Sequence, residues 1–275
     1  RVVGASIDIV SEPSNFSVSK IEGIIDNRRV DITDLNSVKS LLREVQPDFI
    51  FHLAAQSLVR LSYSKPIETM QINAIGSANI LEASRLVDRK VVVIMVTSDK
   101  AYDNVEWVWG YRETDRLGGK DPYSGSKASA EIIIKTYQES FFKNTKCGVA
   151  SARAGNVIGG GDWSENRLIP DAINSIIKNK TIFIRNPNFN RPWQHVLEPL
   201  YGYLILAEKL YKKPKIYSGP WNFGTKKNTV TNVLKIVNEI VKFWGKGKIN
   251  FQKNQKYYEQ TNLQLNINKS INILK

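Results

Sequence analysis

The sequence predicts an α/β fold, a doubly wound parallel sheet accompanied by a smaller α/β lobe, and three observations carry that expectation. First, Val91-Val92-Val93-Ile94-Met95-Val96 is a short, mostly β-branched apolar run bounded by polar residues, the pattern of a strand buried on both faces of a parallel sheet. Second, similar runs at 47–56 and 148–153 are separated by segments with helical spacing of apolar residues at 35–45, 66–87 and 128–142. Strands alternating with amphipathic helices build parallel sheets. Third, the 275 residues are 42% hydrophobic and 10% aromatic, which suits one large core or two lobes sharing an interface.

The elements follow in order. Residues 1–9 read as a strand and 11–27 as a polar, irregular loop. Val30-Asp31-Ile32-Thr33-Asp34 leads into a helix over 35–45, for which Thr33 or Asp34 offers the N-cap oxygen. The run at 47–56 is a buried strand ending in small residues, and His52 within it is expected to be a satisfied core histidine rather than a base. A helix over 66–87 places Met70, Ile72, Ala74, Ile75, Ile80 and Leu81 at apolar positions. After the 91–96 strand comes Thr97-Ser98-Asp99-Lys100-Ala101-Tyr102, at the strand end where open α/β sheets put their chemistry. Tyr123-Ser124-Gly125-Ser126-Lys127 then opens a helix that runs to Phe142.

Further along, 148–153 is a strand, and Gly155 to Gly161 leads out of it. That glycine run lacks the lysine and serine of a phosphate loop, so it reads as the crossing into the second lobe. An apolar helix over 197–210, a loop at 211–215 and a strand at 220–224 come next. A helix over 229–244 presents Val233, Ile236, Val237, Ile240 and Val241 on one face, and Leu263 to Ile267 alternates like an exposed strand. No repeat or linker marks independent domains. Residues 1–157 and 158–275 are expected to be two lobes that share chain segments.

Composition excludes several classes. No stretch has the length and apolarity of a membrane span, and no secretory apolar core is present. One cysteine, Cys147, rules out an internal disulfide and suits a reducing cytoplasm; it reads as a small buried residue at a strand start. A net charge of +13 would suit a polyanion, but the lysines are scattered and no zinc-ligand spacing or aromatic-basic signature accompanies them. We expect solvated surface, no nucleic-acid partner and no metal site, with a few arginines left to serve a diphosphate.

Tyr123 and Lys127 sit one helical turn apart and point the same way. A tyrosine with a pKa of about 10 is a poor base at neutral pH, but an ammonium one turn away favours the phenolate. Ser98, on the facing strand end, can hold the oxygen whose proton leaves. The trio suits hydride chemistry on an alcohol.

These residues sit within HLAAQ (52–56), TSDKAYDN (97–104), WVWGYRE (107–113), DPYSGSK (121–127), RAGNVIGGGDW (153–163), RLIPD (167–171), RPWQHVLEPL (191–200) and WNFG (221–224). Together they resemble the extended short-chain dehydrogenase/reductase superfamily, and within it the CDP-glucose 4,6-dehydratases, along nearly the whole chain. The resemblance implies a Rossmann-like fold whose first βα unit, with its Gly-rich turn, is missing from this sequence. It also implies that the family's last helix is missing, the segment from Tyr258 resembling the region before it. The implied cofactor is NAD, the implied substrate CDP-glucose, and the implied assembly a homodimer.

Asp31 and Ile32 match the superfamily's adenine-contacting pair; Ala54, Ala55, Gln56, Asn73, Thr97, Tyr123 and Lys127 match further cofactor positions, Asn73 as an asparagine that bridges neighbouring strands. Asp8 or Ser6 stands where a carboxylate often holds the ribose. Asn156, Arg167, Arg191 and His195 are the implied contacts to the nucleotide sugar, with Trp193 available for stacking on a base. Asn222 matches a strand of the sugar lobe. In the implied reaction Tyr123, supported by Lys127 and Ser98, takes the C4 hydroxyl proton, Asp99 is the acid for the departing C6 hydroxyl, and Lys100 is either the C5 base or a cation beside the enolate. The competing readings are a nucleotide-sugar 4-epimerase, which needs no Asp99-Lys100 pair, and an inactive fragment.

Overall fold

The computed structural model describes residues 1–9, 11–226, 231–251 and 262–275. Strand β1 (Val3–Ser6) pairs in parallel with β2 (Asp26–Arg29), and between them lie a short helix α1 (Asn15–Val18) and a 3-10 turn at Ile21–Gly23. The loop expected over 11–27 is therefore partly ordered. Its strand was hidden because Asp26-Asn27-Arg28-Arg29 shows no apolar alternation; pairing with β1 supplies the register, and Arg28 bridges Asp26 at 2.7 Å and Glu44 at 2.8 Å.

Helix α2 (Leu35–Val45) begins where expected, because the Asp34 carboxylate accepts from Asn36 N at 3.0 Å. Strand β3 (Phe49–His52) is followed by α3 (Val59–Ser64) and then by α4 (Pro66–Met70), a π turn (Gln71–Ile75) and α5 (Gly76–Ser84), which continue one another. Strand β4 (Val92–Val96) ends in a 3-10 turn at Asp99–Ala101, and α6 (Pro122–Tyr137) is extended by a π turn to Phe142. Strands β5 (Gly148–Ala154) and β6 (Val157–Ile158) precede α7 (Leu168–Ile177), β7 (Thr181–Ile184), β8 (Asn190–Arg191) and β9 (Gln194–His195). Last come α8 (Leu197–Lys212), α9 (Pro214–Tyr217), β10 (Gly219–Phe223), β11 (Thr231–Asn232), α10 (Val233–Trp244) and β12 (Lys248–Phe251).

The main sheet is parallel, in the order β10-β5-β4-β3. Successive residues of β4 alternate between its faces, so Val93 and Met95 join Val38, Leu81 and Ile134 from α2, α5 and α6, while Val92 and Ile94 join Leu206 and Leu210 from α8. Helices cover both faces, the doubly wound arrangement. The β1-β2 pair is not hydrogen-bonded to this sheet among the described residues. It is tied to α5 by Asn79 Nδ2, which donates to Ile32 O at 2.9 Å and Thr33 O at 3.0 Å. Gly76 lets Ile32 lie flat on the helix, since an added Cβ would come within 2.6 Å of Ile32 Cδ1. The second lobe pairs β7 with β12, β8 with β11 and β6 with β9, around a cluster of Ala172, Ile176, Ile182, Ile184 and Val237.

Several expectations are corrected. Strand β10 does not belong to the smaller lobe: it pairs with β5 through Gly219 to Phe223, because Trp221 and Phe223 complete the apolar face under α8. Leu263 and Leu265 are 4% exposed, not an exposed edge; they pack on Tyr102, Tyr111 and Trp107. The 211–215 stretch is the end of α8 and the start of α9 rather than a loop. Cys147 is half-buried. Thr229 and Tyr258 lie outside the described residues, and α10 is seen from Val233, capped by Asn232 Oδ1 on Lys235 N at 2.8 Å. Among the described residues no helix is long and apolar enough to cross a membrane.

Asn222 ties these parts together. It is fully buried; its Oδ1 accepts from Tyr102 Oη at 2.8 Å, and its Nδ2 donates to Tyr111 O at 2.8 Å and Asn266 O at 3.0 Å. Asn222→Ala leaves those partners unsatisfied and should cost roughly 2–4 kcal/mol in chemical denaturation. An unchanged midpoint would show that the network is dispensable.

Candidate active site

The site forms where β4 ends. Ser98 is extended, and its Oγ accepts from Lys100 N at 3.2 Å and donates to Asp99 Oδ1 at 3.0 Å, which bends the chain into the 3-10 turn. Asp99 is 4% exposed, and burial pushes its carboxyl above the usual range even though Lys100, the Ser98 bond and Arg191 pull the other way. A carboxyl whose proton affinity is raised by burial is suited to be an acid. Gly155 keeps the crossing chain close, since a Cβ there would sit 3.4 Å from Asp99 Oδ2 and 3.3 Å from Pro192 Cγ.

Facing this tip is the first turn of α6. Asp121 caps it, accepting from Ser124 N at 3.0 Å and Ser124 Oγ at 2.6 Å, and Pro122 fills the first helical position. Tyr123 and Lys127 are thereby held on the buried face, 7% and 6% exposed. Burial pushes the Tyr123 phenol up to about 12, offset in part by its hydrogen bond with Ser98 and by the Arg167 charge, while Asp99 and Asp121 add to the rise. Burial also brings the Lys127 ammonium down to about 8, opposed by Glu131.

The expectation that Lys127 draws Tyr123 into a useful range is therefore not met in the ligand-free protein. Loss of solvation is the largest influence on each group and disfavours both ionised forms. Lys127 has no hydrogen-bond or ion-pair partner among the described residues, so its three donors are available to a bound molecule rich in hydroxyls.

The expected cofactor residues separate into two kinds. Ala54 is exposed, Ala55 and Ile32 are half-buried, and Asp31 is exposed, its Oδ1 accepting from Thr33 N and Oγ1 at 2.8 Å each. The side chains of Gln56 and Asn73 instead are used internally. Gln56 Nε2 donates to Thr69 Oγ1 at 2.9 Å and its Oε1 accepts from Leu58 N at 2.6 Å. Asn73 is 1% exposed and exchanges two 2.9 Å bonds with the Gln56 backbone while donating to Ser126 Oγ at 2.8 Å. It bridges a strand end and α6, not two strands, because the π turn at 71–75 aims it there. Thr97 is buried beside Ser98 and donates to Glu131.

Asp8 is exposed, and Ser6 Oγ accepts from Arg29 at 3.2 Å. His52 is held neutral by burial, down to about 3, with Nε2 3.3 Å from Ser77 Oγ; it is the core histidine expected.

A cavity of about 900 Å³ opens over the strand tip and contains Ser98, Asp99, Lys100 and Tyr123 together with Asn156, Arg167 and Arg191 in its wall. Trp163 and Trp193 also line it. Arg167 spans two segments, donating to Asp162 Oδ2 at 2.9 Å and to Ser57 Oγ at 2.7 Å. Arg191 lies over the Phe189 ring, 5.4 Å from its centre. His195 is not brought to this cavity: it is exposed on β9, its Nδ1 accepting from Leu197 N at 3.2 Å, because β9 pairs with β6 and turns that side chain outward. Sequence reasoning missed Glu131 and Arg153, whose buried ion pair of 2.7 Å lies directly behind the strand tips. The one available signal was an acidic residue four positions after Lys127 on the apolar side of the helix.

The residues present fit the nicotinamide and ribose side of a dinucleotide: open small residues at the β3 end, an unpartnered buried ammonium, and a phenol and hydroxyl facing one another. The set places a phenol and a hydroxyl together in the cavity wall with a carboxyl beside them, and an ammonium one helical turn from the phenol.

Over 249 residues, 89% of this chain and 69% of the relative, the sequence is 45% identical to CDP-glucose 4,6-dehydratase of Salmonella typhimurium. The fold is that of DesIV, the dTDP-glucose 4,6-dehydratase of Streptomyces venezuelae solved with NAD and TYD bound, with a TM-score of 0.84 at 18% identity over 100% of this chain and 81% of that one. It is also that of UDP-glucuronic acid 4-epimerase from Bacillus cereus in complex with UDP-glucuronic acid and NAD, with a TM-score of 0.83 at 21% identity over 100% and 84%. With the family model described as GDP-mannose 4,6 dehydratase matching residues 6–268, the chain belongs to that family.

Proposed function

We propose that this chain is a nucleotide-sugar 4,6-dehydratase that uses NAD and converts CDP-glucose to CDP-4-keto-6-deoxyglucose. The observation that carries the reading is the placement of Asp99 and Lys100 next to Ser98, in the same cavity as Tyr123. Oxidation of an alcohol by NAD asks the protein for Ser98, Tyr123 and Lys127. Elimination of water needs an acid and a group for the C5 proton as well. A 4-epimerase has no task for that pair, and the 45% identical relative is a CDP-glucose enzyme.

When bound, NAD supplies the hydride acceptor for C4 and the hydride donor for C6. Tyr123 takes the C4 hydroxyl proton while Ser98 holds the same oxygen and Lys127 supports the phenolate. Asp99, whose carboxyl burial pushes above the usual range, is assigned as the acid that gives a proton to the C6 oxygen as water leaves. Lys100, half-buried in the cavity wall, is assigned the C5 proton. Arg167 and Arg191 offer guanidinium forks to the diphosphate, with Asn156 beside the sugar and Trp193 near the base. In this reading 1–157 holds mainly the cofactor and 158–275 mainly the nucleotide sugar, with β10 returning to the first. The enzyme acts in the cytoplasm.

The assembly proposed is a homodimer through α4, the π turn that follows it and α6, which leave Ile67, Ile75 and Ile132 52–70% exposed. A sedimentation mass of one chain would remove it.

The assay supplies NAD with CDP-, UDP- and dTDP-glucose and reads the alkali-induced absorbance of a 4-keto-6-deoxy sugar; turnover of CDP-glucose is expected, and preference for another nucleotide would reassign the substrate. Tyr123→Phe should abolish turnover in a folded protein. Lys100→Met should block elimination and stop solvent deuterium from entering at C5, and continued exchange would take that proton away from Lys100.

Lys127 should also leave a stability signature. Its proton affinity falls on folding from an ordinary value near 10.5 to about 8. Between those pH values the unfolded chain binds more protons, so stability rises with pH across that window. Lys127→Met should stabilise the protein at pH 7 by on the order of 3 kcal/mol while removing activity, and the gain should fade toward pH 10.5. Equal denaturation midpoints for the two proteins at pH 7 would contradict this.

A further inference from the structure

One buried carboxylate is not used by the proposed reaction. Glu131 is 3% exposed and lies one turn beyond Lys127, so Tyr123, Lys127 and Glu131 recur every four residues along one side of α6. Both its oxygens are engaged. Oε1 accepts from Thr97 Oγ1, and Oε2 accepts from Ser151 Oγ at 2.8 Å and Arg153 Nη2 at 2.7 Å. Thr97 directly follows β4 and precedes Ser98, whereas Ser151 and Arg153 belong to β5. Thr97 N also donates to Ala152 O at 2.9 Å. One side chain thus joins the Tyr123 helix to both strands whose ends shape the cavity.

We propose that Glu131 is a positioning residue with two tasks: its carboxylate fixes the strand tip that carries Ser98, and its negative charge keeps Lys127 an ammonium. The catalytic meaning of this rests on the dehydratase reading; the geometry does not.

The surroundings of Lys127 leave Glu131 as its counter-charge. From β3, His52 faces it as a neutral imidazole. Tyr123 on its own helix is a neutral phenol, and Asp99, beyond the β4 tip, acts on Tyr123. On the helices packed against α6, Glu68 pairs with Lys65 at 2.8 Å and Arg60 reaches Asn166 at 3.0 Å. Glu131 is the group that opposes the loss of the Lys127 proton on burial.

The test is an NMR titration of the full chain with lysine isotope-labelled at Cε, the Lys127 signal being the one that Lys127→Met removes. In the parent protein it should titrate near 8. In Glu131→Gln, which keeps the size of the side chain and drops its charge, the midpoint should fall by roughly one unit or more. An unchanged midpoint in a folded Glu131→Gln overturns the proposal. Should that variant fail to fold because Arg153 is left uncompensated, the double variant with Arg153→Met is compared with Arg153→Met alone, and against that reference the same fall is expected and its absence is the same refutation.

Arg153→Met alone keeps the carboxylate and loses the ion pair, so the Lys127 midpoint should not fall. A fall equal to that of Glu131→Gln would place the effect in loosened packing and overturn the proposal. The titration uses neither substrate nor cofactor, so an absence of dehydratase turnover would count against the function and leave this result standing.

Discussion

The ion pair between Arg153 and Glu131 is the constraint on which the site depends. Both side chains are 2–3% exposed, and taking two ions out of water costs several kcal/mol each before their attraction is counted. The offset comes from hydrogen bonds to both Arg153 Nη atoms and both Glu131 oxygens, Arg153 Nε alone being left without a partner among the described residues. Arg153 Nη1 donates to Tyr102 Oη at 2.7 Å and to Glu113 O at 3.1 Å, while its cation sits 4.8 Å from the Tyr102 ring centre. Tyr102 passes the chain of bonds to Asn222, whose backbone N donates to Glu113 Oε1 at 3.0 Å. A single polar network therefore joins α6, β4, β5, β10 and the segment after the β4 tip. Apolar residues of equal volume could stabilise the same core, but they would not dictate the positions of Thr97 and Ser98.

Around that anchor the protein tolerates groups that burial disfavours. Asp99 is held toward its neutral form, Tyr123 is pushed up to about 12, and Lys127 is brought down to about 8 with no partner of its own. Each is a loss for the ligand-free fold. The losses are affordable because two helix-covered faces of a parallel sheet supply the apolar burial. A site that must protonate one oxygen and deprotonate another needs acids and bases whose proton affinities have been moved apart, and differing burial within a few residues does this.

The cavity is a product of chain crossing. After β5 the backbone leaves the sheet at Gly155, forms the arginine-bearing wall, and returns as β10 to the edge of the same sheet. Arg167 links the wall to Ser57 beyond β3 and so registers the smaller lobe against the main sheet. The lobes are thus interleaved in space, with β10 shared.

What the sequence determined by itself is local. The apolar run of β4, the Tyr123 and Lys127 spacing, the Asp34 cap and the core role of His52 follow from periodicity, side-chain reach and capping chemistry, all set within a few residues. The decisions left to tertiary structure involve partners far apart in the chain. Polar β2 is a strand only because β1 pairs with it, and β10 joins the main sheet because its aromatic residues close the face under α8. Leu263 and Leu265 are covered because Tyr102 and Tyr111 lie opposite, and His195 is turned away from the cavity by the pairing of β9 with β6. The partners of Glu131 are 20 to 34 residues distant, and a carboxylate on a helix reads as solvated until the strands that bury it are in place.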